Sequence, residues 1–349
     1  MPMRRFHPNF AGPIELSPLT PVSIDDAAKE RLRILFIAKN ALWDGSGSPE
    51  DGNHAHYHRE MRQVLERLGL NLTIADRFEV LFDKPECDFV FPLLNRAGFF
   101  NSEMLCPLLC ERAKLPYLGA SPILRGLADD KHLAKRAARD ADVPTAPWAI
   151  YRRGAPIDPE RCPAGERFVV KPNNSSASWG VHDATDQQSV LAAVEAVHAL
   201  GHDALVEPFI DGSDVEVPVV TIGGEPVILP MLIFRQADPS HLRTYYEKRD
   251  LVDRSQKYSL DPFENTEMGD RIAGLTRKLW AEYRPFDYGR FEFRVNEETG
   301  EVTFLELNLN CNLWSQKVFG RAAQMAGWTQ EQLIETILAE SLNRHGLLS

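Results

Sequence analysis

The sequence has no long hydrophobic run: nowhere in its 349 residues is there the roughly 20-residue apolar stretch that crosses a bilayer. Its basic start, residues 1–5, leads into Pro8, Pro13 and Pro18 instead of an apolar signal core. No membrane partner is expected, and the chain reads as soluble, unexported and cytoplasmic. Cysteine is scarce. The 5 present (Cys87, Cys106, Cys110, Cys162, Cys311) include no C-x-x-C pair, so neither a disulfide framework nor a four-thiolate zinc site is expected. Cys106 and Cys110, four apart on a predicted helix, read as small buried hydrophobes. Positive charge is also in deficit: 39 Lys+Arg face 50 Asp+Glu, a formal net charge of −11 that repels a long polyanion. The densest basic stretch, residues 131–139, reads as a solvated helix face, so no nucleic-acid partner is expected. A P-loop is excluded, because no G-x-x-x-x-G-K-[ST] occurs.

What is present is a globular composition, 44% hydrophobic, at a length that suits two or three domains. Residues 1–30 are Pro-spaced and weakly periodic, an arm lying on the fold or a flexible leader. The apolar run at 33–38, a helical pattern over 57–68 stopped by Gly69, and strands at 70–75 and 88–94 predict a small parallel α/β sheet. Near Leu118-Gly119-Ala120-Ser121 the pattern changes. Asp129-Asp130-Lys131 opens a helix that ends at Val143-Pro144, and strands at 168–171 and 204–207 follow. The remainder, with strands at 216–222, 226–234, 290–295 and 302–307 and helices at 268–283 and 330–342, is α+β in character.

Three segments carry candidate chemistry. A strand delivers Lys171 to a loop of small polar residues containing Ser175, Ser176 and Ser178 and closed by Gly180. Such a loop can fold backbone N–H groups and hydroxyls over phosphate oxygens, or be a polar surface turn. In the strand 289–295, Arg290, Glu292 and Arg294 share a face, and Glu306 and Asn308 share one on the next strand. Pairing about the turn Glu298-Thr299-Gly300 places positions summing to about 598 opposite each other, so Glu292 faces Glu306. Two carboxylates and an amide suit a hard cation such as Mg²⁺; a solvated hairpin is the plain alternative. Third, Glu207-Pro208-Phe209-Ile210-Asp211-Gly212-Ser213-Asp214 could present a flat surface to a base and a carboxylate to a ribose, or be a strand, a turn and an exposed acid.

The order Asp130-Lys131, Lys171-Pro172 with the Ser-rich loop, Glu207 to Asp214, Gly289-Arg290-Phe291-Glu292 and Leu305-Glu306-x-Asn308-x-Asn310 resembles the ATP-grasp ligases, and within them the D-alanine–D-alanine ligases, from about residue 34 onward. The resemblance implies a three-domain ATP-grasp fold: an arm (1–30), an N-terminal parallel-sheet domain (31–125), a central domain (126–206) and a C-terminal one (207–349), with ATP between the last two. It also implies roles. Lys131, Lys171 and the serines would hold ATP phosphates, Glu207, Phe209 and Ile210 the adenine, and Asp214 the ribose. Lys248, in Tyr245-Tyr246-Glu247-Lys248, resembles a further phosphate-binding lysine. Glu292, Glu306 and Asn308 would hold two Mg²⁺ ions, with Mn²⁺ an acceptable substitute, and Arg290 would steady an acyl-phosphate and the tetrahedral intermediate that follows. The implied activity joins a small-molecule carboxylate to an amine with release of ADP and phosphate, and a homodimer is allowed.

The pattern departs from those ligases at three places. The usual His-Gly-x-x-Gly-Glu-Asp-Gly segment is replaced around Arg96, Phe99 and Phe100, and the first-strand Gly-Gly-x-Ser-x-Glu by a loop offering Glu50. The end of the last motif has Asn312 where Gly is usual, followed by Trp314 and Ser315. These residues are expected to line an altered substrate pocket. His54, His56 and His58 would share a face only on a strand, and a helix is predicted there, so a polar helix entrance is expected rather than zinc. A small-molecule kinase and a non-catalytic nucleotide-binding scaffold are the competing readings.

Overall fold

The computed structural model describes residues 19–47, 52–93, 102–242, 245–248 and 258–348. The described part of the arm lies on the fold, where Val22 N donates to Thr336 Oγ1 (2.9 Å) and Ile24 N to Glu335 Oε1 (3.0 Å). A short helix follows, α1 (Asp26–Arg31), capped by Asp25. The first sheet is parallel, as the apolar runs predict: β1 (Arg33–Ile37) is central. Helix α2 (Asn53–Arg67) connects it to β2 (Asn71–Ala75) on one side, and β3 (Phe89–Pro92) pairs on the other. α2 begins four residues before the predicted start and buries Tyr57, Met61, Val64 and Leu65 against the sheet. α3 (Leu105–Ala113) buries Cys106 and Cys110, and that burial pushes the Cys106 thiol up to about 11. α4 (Pro122–Asp129) leads out of this region.

The second sheet is antiparallel. Asp130 caps α5 (Lys131–Asp140) by accepting from Leu133 N at 2.9 Å. Then come β4 (Ala149–Tyr151), β5 (Phe168–Pro172), β6 (His182–Ala184), α6 (Gln187–Ala199) and β7 (Ala204–Pro208), with strand order β4-β7-β5-β6. The apolar face of α6, with Val190, Val194 and Val197, packs on this sheet.

The third sheet is built from β8 (Ser213–Ile222), β9 (Glu225–Ile228), β10 (Leu232–Gln236), β11 (Tyr258–Pro262), β12 (Tyr288–Asn296) and β13 (Glu301–Asn308). Its order is β11-β10-β8-β12-β13, with β9 also paired to β8. Gly223 and Gly224, at φ of 62° and 79°, make the two-residue turn between β8 and β9, which needs left-handed backbone at both positions. The single strand expected over 226–234 is two strands, because Pro230 in the break has no N–H to donate to a ladder. Around this sheet lie α7 (Tyr245–Lys248), α8 (Thr266–Tyr283), α9 (Val318–Met325) and α10 (Gln330–Arg344). No helix among the described residues is long and apolar enough to cross a membrane.

One buried acid joins these parts. Asp287, at 0% exposure, accepts from Arg344 Nε and Nη2 (both 2.9 Å) and from Gly119 N (2.5 Å). It ties α10 to the start of β12 and to the segment that leaves the first sheet. Asp287→Ala strips Arg344 of its counter-charge and leaves the Gly119 amide unsatisfied, so a loss of about 3 kcal/mol is expected. Urea denaturation measures it; a midpoint equal to that of the unsubstituted chain would remove Asp287 from this role.

Candidate active site

The second and third sheets face each other across a cleft partly open to solvent. One wall comes from β5 and β7. Val169 is registered opposite Glu207, so Lys171 sits diagonally across the strand pair from Glu207 on the same face. Their side chains meet, Lys171 Nζ to Glu207 Oε1 at 2.5 Å. The other Glu207 oxygen is 2.8 Å from Lys135 Nζ, whose side chain is 0% exposed and which also donates to Thr145 Oγ1 at 2.8 Å. Burial alone would raise the Glu207 pKa, but the two lysines outweigh it and hold the carboxyl at about 2. Burial depresses Lys135, while for Lys171 the nearby carboxylates overcome burial and raise its pKa.

Lys131 lies one turn before Lys135 on α5 and reaches the mouth of the Ser-rich loop. Its Nζ donates to Ser175 O at 2.6 Å and lies 3.4 Å from Glu306 Oε2. Within the loop, Ala177 and Ser178 take left-handed backbone, with φ of 54° and 59°, a conformation uncommon for such residues. Successive turns of this kind aim backbone N–H groups into a concavity that suits an anion. Ser175, Ser176 and Ser178 all line the cleft.

The opposite wall is acidic. Glu292 on β12 is registered opposite Glu306 on β13, as predicted, and also opposite Glu216 on β8, giving a row of three carboxylates across three strands. A bulge after Glu292 shifts the pairing beyond it. The row is held by cations and an amide. Arg290 Nε is 2.5 Å from Glu216 Oε2, and its Nη2 pairs closely with Glu292. Asn308 Nδ2 donates to Glu292 Oε1 (2.7 Å) and Glu306 Oε1 (3.2 Å). Burial lowers the Arg290 pKa, but Glu216 and Glu292 raise it by more, so the guanidinium stays charged.

At the rim, Phe209 is approached by two guanidinium groups, Arg167 Cζ 3.9 Å and Arg294 Cζ 5.4 Å from the ring centre. Arg294 also donates to Ile210 O (2.9 Å) and to Asp214 Oδ1 (2.9 Å), fixing the segment expected to meet a base and a ribose. His241 lines the cleft and lies 3.3 Å from Glu247 of α7, which places that helix at the rim. Lys248 ends α7, and its side chain lies outside the described residues, as do Glu50 and Arg96.

Asn312, Trp314 and Ser315 follow β13 but do not line the cleft; Trp314 and Ser315 bond to Glu60 of α2. The three histidines lie on α2. His54 and His58 meet edge to face at 5.9 Å, and His56 meets Trp43 at 5.0 Å. Among the described residues no group of three or more His, Cys, Asp or Glu could hold a metal ion.

Lys135, Glu216, Arg294 and Glu60 were not assigned roles from the sequence. The i, i+4 spacing from Lys131 is a signal for Lys135. Glu216 is visible only once β8 is known to neighbour β12.

A cleft between two antiparallel sheets, with lysines on one wall and carboxylates on the other, is the ATP-grasp arrangement. Residues 139–339 match the family described as D-ala D-ala ligase C-terminus, and the chain belongs to that family. With that membership goes the class, an ATP-dependent ligase that forms carbon–nitrogen bonds. The chain is 30% identical over 244 residues to the uncharacterized protein y4sG of Sinorhizobium fredii, covering 68% of this chain and 70% of that one. It is 26% identical over 301 residues to a D-alanine–D-alanine ligase of Synechococcus, covering 82% and 88%. The structure of the Bacillus anthracis D-alanine–D-alanine ligase complexed with ATP superposes with a TM-score of 0.70 at 17% identity, over 90% of this chain and 98% of that one.

The Glu207 pairing has a pH signature. A carboxyl held at about 2 contributes stability above its ordinary pKa of 4.5 and loses it as the pH falls through 2. Glu207→Ala should cost about 3–5 kcal/mol near neutrality, because Lys135 stays buried without a counter-charge. Urea unfolding between pH 5 and pH 2 should show a shallower fall in stability for the variant than for the native chain, and parallel falls would contradict the assignment.

Proposed function

We propose that the chain joins a small carboxylate-bearing metabolite, an amino acid or a relative of one, to an amine by way of an acyl-phosphate, with conversion of ATP to ADP and phosphate. The observation that carries this reading is the pairing of lysines and a Ser-rich loop on one wall with the Glu292, Glu306 and Asn308 set on the other. In this reading the chain divides at about residues 30, 125 and 206 and the nucleotide lies between the last two parts. Lys131, Lys171, Ser175, Ser176 and Ser178 receive the phosphates, with Lys248 brought in from α7. Phe209, Ile210 and the Glu207 segment face the adenine, and Asp214 takes the ribose.

The acidic set fits a hard divalent cation. Its donors are all oxygens once the Asn308 amide is turned, and the amide now bridges the two carboxylates at 2.7 and 3.2 Å. Glu292, Glu306 and Asn308 would hold two Mg²⁺ ions, or Mn²⁺, which when bound would offset the charge gathered between nucleotide and substrate carboxylate. The chain's own cations share that task. Lys131 and Lys171 draw the γ-phosphoryl group toward the wall, and Arg290, held by Glu216 and Glu292, presents fixed charge to the acyl-phosphate and to the oxyanion formed on amine attack. Glu50, Arg96, Asn312, Trp314 and Ser315 contribute to the substrate side.

ADP and phosphate release against pools of L- and D-amino acids, with mass spectrometry of each positive pool, tests the reading. A condensed product with free phosphate is expected; a stable phosphorylated acceptor without free phosphate points to a kinase, and tight ATP binding without turnover to a scaffold. Glu306→Gln is expected to lower ADP formation by about a hundredfold to a thousandfold while circular dichroism stays native. Undiminished turnover in that variant would sink the metal assignment.

A further inference from the structure

Beyond β13 the chain forms a loop that has donors pointing at a single carboxylate. Trp314 Nε1 and Ser315 Oγ both donate to Glu60 Oε2 at 2.8 Å, and Ser315 N donates to Glu60 Oε1 at 3.1 Å. The donors are held by bonds within the loop and by its contacts with α2 and α9. Trp314 N donates to Asn312 Oδ1 at 2.8 Å, Leu313 N to Tyr57 Oη at 3.1 Å, and Lys317 N to Trp314 O at 3.0 Å. Helix α9 packs against the loop through Gly320, where a Cβ would come 2.3 Å from Ser315 Cα. A backbone N–H, a hydroxyl and an indole N–H, fixed and converging, are the donor set that binds a carboxylate.

The loop adjoins the reacting end of the cleft. It leaves β13 directly after Asn308, which is registered opposite Arg290. Cys311, within it, is buried, and that burial pushes its thiol up to about 12 against the opposing pull of the Arg290 guanidinium.

We propose that this loop is a carboxylate receptor whose seat is taken by Glu60, and that Glu60 is therefore a specificity-determining residue: the acceptor is an amine that presents no carboxylate here, rather than a free α-amino acid. The assignment rests on the ligase reading above. With Glu60 in place, an incoming carboxylate finds the donors used and meets a like charge. An acceptor in the form of an amine or an amino-acid amide meets neither obstacle.

Acetate and acetamide, titrated into the full chain by calorimetry and followed by thermal unfolding, separate the possibilities. Glu60→Ser should bind acetate at least tenfold more tightly than the native chain and recover unfolding temperature with it, while acetamide does neither. Glu60→Gln, which keeps the shape and removes the charge, serves if the serine variant fails to fold; it should weaken the exclusion of acetate in the same direction. In turnover, the native chain should favour alaninamide over alanine, and the kcat/KM ratio of alanine to alaninamide should rise at least tenfold in Glu60→Ser with the ATP KM unchanged. Equal responses to acetate and acetamide, or a native preference for alanine, overturn the proposal. Failure of the native chain to turn over ATP with any acceptor counts against the ligase reading and leaves the acetate comparison standing.

Discussion

A carboxylate with 4% exposure stays ionised only where cations meet it, and Glu207 has one on each oxygen. Lys135 comes from α5 and Lys171 from β5, so the triad fixes a helix to two strands and sets the wall on which a nucleotide would lie. Taking any one member out leaves charge stranded in a poorly hydrated place. The same triad delivers Lys171 to the start of the Ser-rich loop, and Lys131, one turn along α5, to its mouth. The positions of the cationic groups therefore follow from one buried ion pair and its partner.

The acidic wall is the complement. Three carboxylates in one cross-strand row would repel, and the row exists because Arg290, Lys131 and the Asn308 amide are spread along it. Arg290 sits between Glu216 and Glu292, which hold its guanidinium in one place. A fixed guanidinium costs little reorganisation when negative charge develops beside it, which is what acyl transfer through a charged intermediate needs. On the proposed ligase reading, this wall would meet the charge that arrives with the substrates.

Much of this was legible in the chain. The β12–β13 register could be read because the turn at Glu298-Thr299-Gly300 set the count and the alternation of apolar and polar residues set the face. The parallel first sheet followed from short continuous apolar runs separated by a helical pattern. The partners that complete the site were hidden for a different reason. Glu216 reaches Arg290 only because β8 lies beside β12, and the two residues are 74 positions apart along the chain by their numbering. Glu60 meets Trp314 across 254 positions, and no local pattern encodes such a meeting. The break at Pro230 has a local sign, since proline interrupts a ladder, although the expectation was one strand over 226–234. The positions of Glu50 and Arg96 lie outside the described residues.

The core beneath the first sheet has an implication for how the chain is made. Ile24, Phe36 and Met61 pack in the same cluster as Ile334, Leu338 and Leu342 of α10. On a ribosome, where the chain emerges from its beginning, the first sheet is finished long before the helix that covers one of its faces exists. Until α10 arrives, the part of that apolar surface left uncovered by α2 is open to water and to other chains. Closure of this face by a distant segment spans a long stretch of chain, a contact of the kind that forms late in folding.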